Sequence, residues 1–542
     1  MFGRIARRPT RLIVTTLAPG LRGLLTIAFL ALTLLGGPSA RAADLYSADG
    51  FDIGWDNTLR YSTASRISPR NPKLLSNPNS DDGDRDFAPG LISNRVDLLS
   101  TLDISRGDFG ARVSVAAWYD TVYHAHTAND SPATYNPVSV PNTQFARAVR
   151  NLMGQDAEFE DAFAYDNFAI DDSQVSLRLG RQTVLWGESL FFDENSIAAA
   201  RAPVDYIKAL SAPESYSENV FLPVDQLSVT VQPGSDVAIS AYYQLGWRPS
   251  RLPGVGSYFS YTDYLGAGDE RIFLAPGRYL SHGDDQLPSA GGQYGVSLHT
   301  TANDWDIGLY ALKYDATYPI VKHTRAASGS SSPGSVGEFE LIYPTGIELY
   351  GASFSGYLGD SNIAGEIAAR TNAPLASTSS VSPHSVTQPP PYVDNGYAEG
   401  DTLHAQISSI TTQPPAPTWN SADLRLEVAA NYILDVAQNY AAFDPSQDRF
   451  TMNTRVLFEP HYFEVLSNLD VGVPIGFGYN LVGRSSEDYA PNSGAGDFEV
   501  GLSATYLSVW KANLGLTCFL GGASNQPLAD RDFISFSLER TF

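Results

Sequence analysis

The last eleven residues, Asp532-Phe-Ile-Ser-Phe-Ser-Leu-Glu-Arg-Thr-Phe542, decide how the rest of the chain is read. Ile534, Phe536, Leu538 and Phe542 share one parity, and Ser535, Ser537, Glu539 and Thr541 share the other. Side chains of a strand alternate between faces, so this is a two-faced strand carried to the final residue. Chain ends of soluble domains are usually frayed and polar. An apolar face at this position needs a non-aqueous surface to cover it. Lipid around a barrel is one such surface, and Phe542 is then expected to act as a barrel-assembly signal for the insertion machinery. Arg540, within this strand, is expected to snorkel to the membrane interface.

The same alternation recurs upstream. In Asp236–Trp247, Val237, Ile239, Ala241, Tyr243 and Leu245 oppose Ala238, Ser240, Tyr242 and Gln244. Asp423–Leu434, Asp497–Ser508, Ala111–Tyr123 and Asp304–Tyr314 repeat it, each over about ten residues, the length of a tilted membrane strand. The second face is rich in Gly, Ser, Thr, Asn and single charges. Aromatic residues are abundant (29 Tyr, 26 Phe, 7 Trp). Trp118, Trp186, Trp247, Trp305 and Trp510 lie near strand ends, as interfacial girdles require.

These patterns predict an all-β fold, a transmembrane antiparallel β-barrel of roughly 14–16 strands. Polar turns at Ser105–Asp108, Pro233–Ser235 and Gly359–Asp360 are expected on the periplasmic side. Stretches of about 124–172, 189–224 and 371–422 are expected as long loops that either stay outside or fold inward as a constriction.

At the other end, residues 1–42 carry basic residues before an apolar run from Leu24 to about Leu35, then Ala40-Arg41-Ala42. This reads as a signal peptide, with the barrel occupying 43–542. The first 42 residues hold six of the 35 basic residues and no acid, leaving 29 bases against 59 acids and a net charge near −30. Such a balance excludes nucleic acid as a partner. With one cysteine, Cys518, no internal disulfide can form.

Gly180-Arg-Gln-Thr-Val-Leu-Trp-Gly-Glu-Ser189 is the most distinctive segment. Together with Trp55–Ser62, Asn77–Phe87, Leu91–Ile104 and Gly110–Asp120, it resembles the domain-of-unknown-function (DUF) 1302 outer-membrane proteins. The candidate lumen and motif residues are Arg178, Arg181, Gln182, Trp186, Gly187 and Glu188. The resemblance implies a porin-like barrel in the outer membrane of a Gram-negative bacterium, without cofactor or enzymatic activity. It further implies handling of hydrophobic compounds such as steroids, fatty acids or polyester-derived molecules. Implied partners are lipopolysaccharide, the barrel insertion machinery, a periplasmic lipoprotein and an inner-membrane resistance–nodulation–division transporter.

Two other chemistries deserve a reading. Asp82, Asp84 and Asp86 alternate and could offer a weak divalent site, although a helix–loop–helix calcium loop is excluded because Phe87 and Ser93 stand where Gly and Glu are required. Gly359-Asp-Ser-Asn362 superficially resembles an esterase nucleophile block, but Asn362 replaces the usual Leu and no G-x-S-x-G elbow occurs. The function expected is therefore a channel or transport component for hydrophobic small molecules. A non-transporting anchor for a periplasmic or surface partner is the alternative, and an esterase ranks last.

Overall fold

The structure is a computed structural model, and it describes residues 43–48, 50–211, 220–325, 334–378, 396–485 and 492–542. The proposed signal peptide lies outside the described residues. Twenty-four strands follow in chain order. The first eight are β1 (Ala43–Ala48), β2 (Phe51–Arg66), β3 (Gly90–Arg106), β4 (Phe109–Asp120), β5 (Gln155–Ile170), β6 (Ser173–Gln182), β7 (Val224–Gln232) and β8 (Val237–Gln244). Next come β9 (Arg271–Ala275), β10 (Arg278–His282), β11 (Tyr294–Ala302), β12 (Trp305–Tyr314), β13 (Ile320–Arg325), β14 (Ser335–Ile342), β15 (Ile347–Leu358) and β16 (Ser361–Leu375). The last are β17 (Ala398–Gln413), β18 (Ser421–Gln438), β19 (Phe450–Leu466), β20 (Leu469–Gly472), β21 (Ile475–Val482), β22 (Gly496–Tyr506), β23 (Trp510–Leu520) and β24 (Phe533–Thr541).

Antiparallel pairing runs from β2 through β8, on to β11 and β12, then through β15–β19, β21 and β22–β24. The terminal strand β24 pairs with β2 from Thr58–Thr541 to Arg66–Phe533 and closes an 18-stranded barrel. Phe542 and Asn57 exchange both backbone hydrogen bonds at the seam (2.8 and 2.9 Å). Closure satisfies every strand edge, the condition for spanning hydrocarbon with strands. Among the described residues no helix is long and apolar enough to cross a membrane.

The outward parity carries the apolar belt. Leu179 is 52% exposed and Ile407 51%, with Val296, Leu309, Ile367, Phe477, Leu514, Ile534 and Phe536 also exposed on strands. Inward positions are polar: Thr402, His404, Gln406 and Ser408 on β17 are all buried. Short turns at Gly107–Asp108, Pro233–Asp236, Asn303–Asp304 and Gly359–Asp360 lie at the same end as the start of β2 and the end of β24. That arrangement defines the periplasmic end of an outer-membrane barrel, with the long loops facing outward from the cell.

The ring is larger than roughly 14–16 strands because two stretches read as loops each contain a full strand. Within 124–172, β5 alternates imperfectly: Val115 pairs with Phe159 but Val113 with Ala162, so a bulge breaks the period of two. Within 371–422, the outward parity of β17 mixes Leu403 and Ile407 with Ala405, Ser409 and Thr411, a weak contrast with its polar inner face. Between β6 and β7 the described residues form two 3-10 turns and a helix, Tyr206–Ser211. A second sheet, β9, β10, β14 and β13, is built from the inserts flanking β11 and β12.

The girdle assignment needs correcting for three tryptophans. Trp305 and Trp510 begin strands beside periplasmic turns, and the Arg540 guanidinium lies 5.1 Å over the Trp510 ring. Trp118 instead points inward beneath Arg95 and Arg251 and donates to the Leu152 carbonyl (3.0 Å). Trp247 packs edge-on against Tyr343 in the insert after β8. Trp186 is buried inside the barrel. Sequence position marks a strand end but not which face the indole takes.

Candidate functional site: a constriction rooted in the family motif

Of the segment between β6 and β7, the described residues 183–211 and 220–223 fold into the lumen and bind walls on two sides. On one wall, Gln182 and Gln226 donate side-chain N–H groups to each other's backbone carbonyl (3.3 and 2.8 Å). Gln244 on β8 donates to the Arg201 carbonyl at 2.6 Å. The Arg201 guanidinium lies 4.6 Å from the Trp186 ring centre and 4.2 Å from that of Tyr242, while Trp186 meets Tyr242 edge-on. Desolvated cation–π contacts of this kind contribute about 2 kcal/mol each. Ile197, Ile347 and Leu349, almost wholly buried, complete the apolar seat, at roughly 1.5–3 kcal/mol per side chain.

The opposite wall holds the insert through two buried glutamates. Glu366 of β16 accepts the Glu188 N–H on Oε2 (2.7 Å), and the Ile197 N–H (2.9 Å) and Gln406 Nε2 (3.0 Å) on Oε1. Glu427 of β18, 0% exposed, accepts three successive N–H groups, from Leu190 (3.0 Å), Phe191 (2.5 Å) and Phe192 (3.0 Å). His404 Nδ1 meets Asn195 Oδ1 at 2.9 Å, and Arg370 Nη2 donates to the carbonyls of Glu194 and Ser196. Irregular backbone buried inside a barrel needs such partners, because it has no sheet neighbour to supply them.

Gly187 is required where it stands. Its φ is +93°, and a Cβ there would come 2.2 Å from Glu366 Oε2. Only glycine gives both the left-handed turn and the approach to the carboxylate. The neighbouring Glu188 carboxyl is pushed above its usual range by burial, against the hydrogen bond from Ser355 Oγ at 3.3 Å. A cavity of about 260 Å³ opens beside this root, lined by Leu185, Glu188, Phe221, Ala364, Ser408 and Ile410 among others.

The motif residues thus divide. Gln182, Trp186, Gly187 and Glu188 converge on the root of the constriction. Arg178 has the inward parity but stands apart, its guanidinium 5.7 Å from the Phe163 ring. Arg181 shares the outward parity of Leu177 and Leu179 and pairs with Asp225 at 3.2 Å, so it is not a lumen residue. Glu366, Glu427, Arg370 and His404 did not stand out in the sequence, where their one signal is a charge or imidazole on the inward face of a strand, and Arg201 of the insert lacks even that signal.

The three alternating aspartates also separate, because Asp82–Arg85 is a helical turn rather than an extended run. Asp84 pairs with Arg66 at 2.6 Å, both side chains fully buried, whereas Asp82 turns toward Asp81 and Asp263.

Comparison with known proteins places this architecture. Residues 23–542 match the family described as "Protein of unknown function (DUF1302)". The chain belongs to the DUF1302 family. It is an outer-membrane β-barrel protein of a Gram-negative bacterium. No curated protein matches the sequence. Among solved structures, similarity extends to OccAB1 of Acinetobacter baumannii (9% identity, 93% of this chain and 99% of that one, TM-score 0.45). Pseudomonas aeruginosa OpdK with vanillate (10%, 90% and 98%, 0.41) and OccK2 (OpdF) with glucuronate (8%, 90% and 98%, 0.42) are similarly distant. At these scores the likeness carries no argument about solute.

Proposed function

We propose that this DUF1302 protein is a channel that passes small molecules across the outer membrane, with the described residues 183–211 and 220–223 as its constriction. The observation that carries the reading is the docking of that insert, by Glu366 and Glu427, against a polar inner wall beside an open cavity. Leu185, Leu190, Phe221 and Ile410 give the cavity an apolar side, and Glu188, Ser189, Asn362 and Ser408 give it a polar side of at least equal extent. This supports a hydrophobic solute with a polar end, of the steroid, fatty-acid or polyester-derived kind. A carboxyl at the root also disfavours small anions. A volume near 260 Å³ is at the low end for ligand pockets, so it seats an acyl segment or a single ring. Larger solutes then require the insert to shift.

A periplasmic lipoprotein and a resistance–nodulation–division transporter are the proposed onward partners. The second sheet of β9, β10, β13 and β14 favours one alternative, a barrel that anchors a surface partner. Uptake separates the two. A deletion strain should take up labelled fatty acid or sterol slowly and recover with the intact gene. Normal uptake of every compound tried, with loss of surface binding to a partner, would favour the anchor.

A further inference from the structure

Away from the constriction, the loop between β2 and β3 meets the insert that follows β8, and the contact is made of acids. Asp81, Asp82 and Asp263 are each 0% exposed, and one carboxylate oxygen from each lies within 4.8 Å of the other two. That spacing is what one ion with bonds of about 2.4 Å can bridge, since ligands on opposite sides of it stand about 4.8 Å apart.

The protein's own partners leave this cluster incomplete. Arg85 Nε and Thr134 Oγ1 both donate to Asp81 Oδ2, so Asp81 Oδ1 has no hydrogen-bond partner. Asp263 Oδ2 accepts the Asp82 N–H at 3.2 Å, and Asp263 Oδ1 has none. Asp82 receives one donor on each oxygen, from Asn129 Nδ2 and the Asn136 N–H, which leaves a lone pair on each. Beside them Asp86, 4% exposed, abuts Gly256 and makes no close hydrogen bond on either oxygen, with the Asn129 and Thr127 side chains alongside. An amide oxygen, Asn136 Oδ1, is likewise buried and orphaned on the residue whose N–H binds Asp82.

Of the nearby guanidinium groups, Arg85 pairs with Asp81 and Asp130, and the others are committed outside the cluster. Arg66 pairs with Asp84 and Asp530, and Arg531 donates to the carbonyls of Tyr258 and Ser260. Among the described residues, no ion pair reaches Asp82, Asp86 or Asp263. Unpaired buried carboxylates are costly, and either a shared proton or a bound cation compensates them. The donor set is all oxygen, without histidine or cysteine, which selects a hard cation.

We propose that one calcium ion binds between Asp81, Asp82 and Asp263 and fastens the β2–β3 loop to the insert after β8. The ion joins segments 181 residues apart, already tied by the Asp263 N–H to the Asn79 carbonyl (2.9 Å). It acts as a structural clasp at the outer mouth, independent of solute passage.

The test is calorimetric titration of the chelator-treated full chain in detergent with calcium chloride, alongside thermal unfolding with and without calcium. Asp263→Asn and Asp82→Asn are compared with Asp130→Asn, an exposed acid of the neighbouring β4–β5 loop that pairs with Arg85. The parent and Asp130→Asn should bind one equivalent and gain thermal stability. Loss of a direct ligand should weaken binding at least as much as loss of an outer-shell partner, about 10–100-fold. Should either cluster variant fail to form a heat-modifiable barrel, stoichiometry and calcium-dependent stability of the parent decide alone. Absence of saturable binding, or binding unchanged in both variants, overturns the proposal. So does a stability gain in Asp263→Asn that is equal with and without calcium, which would mean the acids share a proton.

Discussion

Glu427→Ala is the most informative single change in the lumen. The native carboxylate receives three consecutive N–H groups, from Leu190, Phe191 and Phe192, and is fully buried. Truncation leaves those donors unpaired, at about 1–3 kcal/mol each. Shared geometry makes the three less than additive, so the docked insert should lose about 3–6 kcal/mol. Since about 1.4 kcal/mol is tenfold in an equilibrium, the undocked population should rise by at least about a hundredfold. The ring itself keeps its backbone pairing, so heat-modifiable migration should be unchanged. Limited proteolysis within 183–223 and single-channel recordings read the effect: cleavage should accelerate, and conductance should become larger and noisier. Glu427→Gln keeps one accepting oxygen and should fall between the parent and Ala. Unchanged cleavage and conductance in Glu427→Ala would refute the idea that this carboxylate holds the constriction.

Gly187→Ala forces a side chain into a left-handed turn and against Glu366, and should loosen the same insert by about 1–2 kcal/mol, read by the same proteolysis. Ala364→Phe fills the cavity and should lower conductance and solute uptake while leaving barrel assembly intact. His282 sits on β10, where burial lowers its pKa but the carboxylates of Asp269 and Asp285 outweigh it and raise it to about 9. Because the folded value exceeds the usual 6.5, its stabilisation is full below that pH and disappears as pH rises through about 9. Protease sensitivity of residues 271–286 should increase over that window, and His282→Gln should flatten the profile. Deleting Phe542 removes both seam hydrogen bonds with Asn57 and should reduce insertion into the outer membrane, measured by the heat-modifiable fraction.

Alternation made the barrel legible, because the lipid-facing residues of β8, β18, β22 and β24 are strongly apolar while their opposite faces are small or polar. The turns were legible for a related reason: Gly107, Gly234 and Gly359 interrupt the pattern where the chain must reverse. β5 escaped because its bulge shifts the period, and β17 because Ala405, Ser409 and Thr411 dilute the apolar Leu403 and Ile407 on its outward face. The site was half legible. Trp186-Gly187-Glu188 stood out as a motif, but its partners Glu366 and Glu427 lie 178 and 237 residues away, and local sequence does not encode that distance. Asp84 was grouped with Asp82 by spacing alone, and the helical turn at Asp82–Arg85 sends the two in different directions.

The central claim is a small-molecule channel constricted by its own inward insert. Planar-bilayer recording of the purified parent beside a variant with residues 184–222 replaced by a short Gly-Ser linker tests it most directly. The parent should show discrete small openings, and the excised barrel several-fold larger ones. A parent and an excised barrel that are both silent, or that conduct equally, would contradict it.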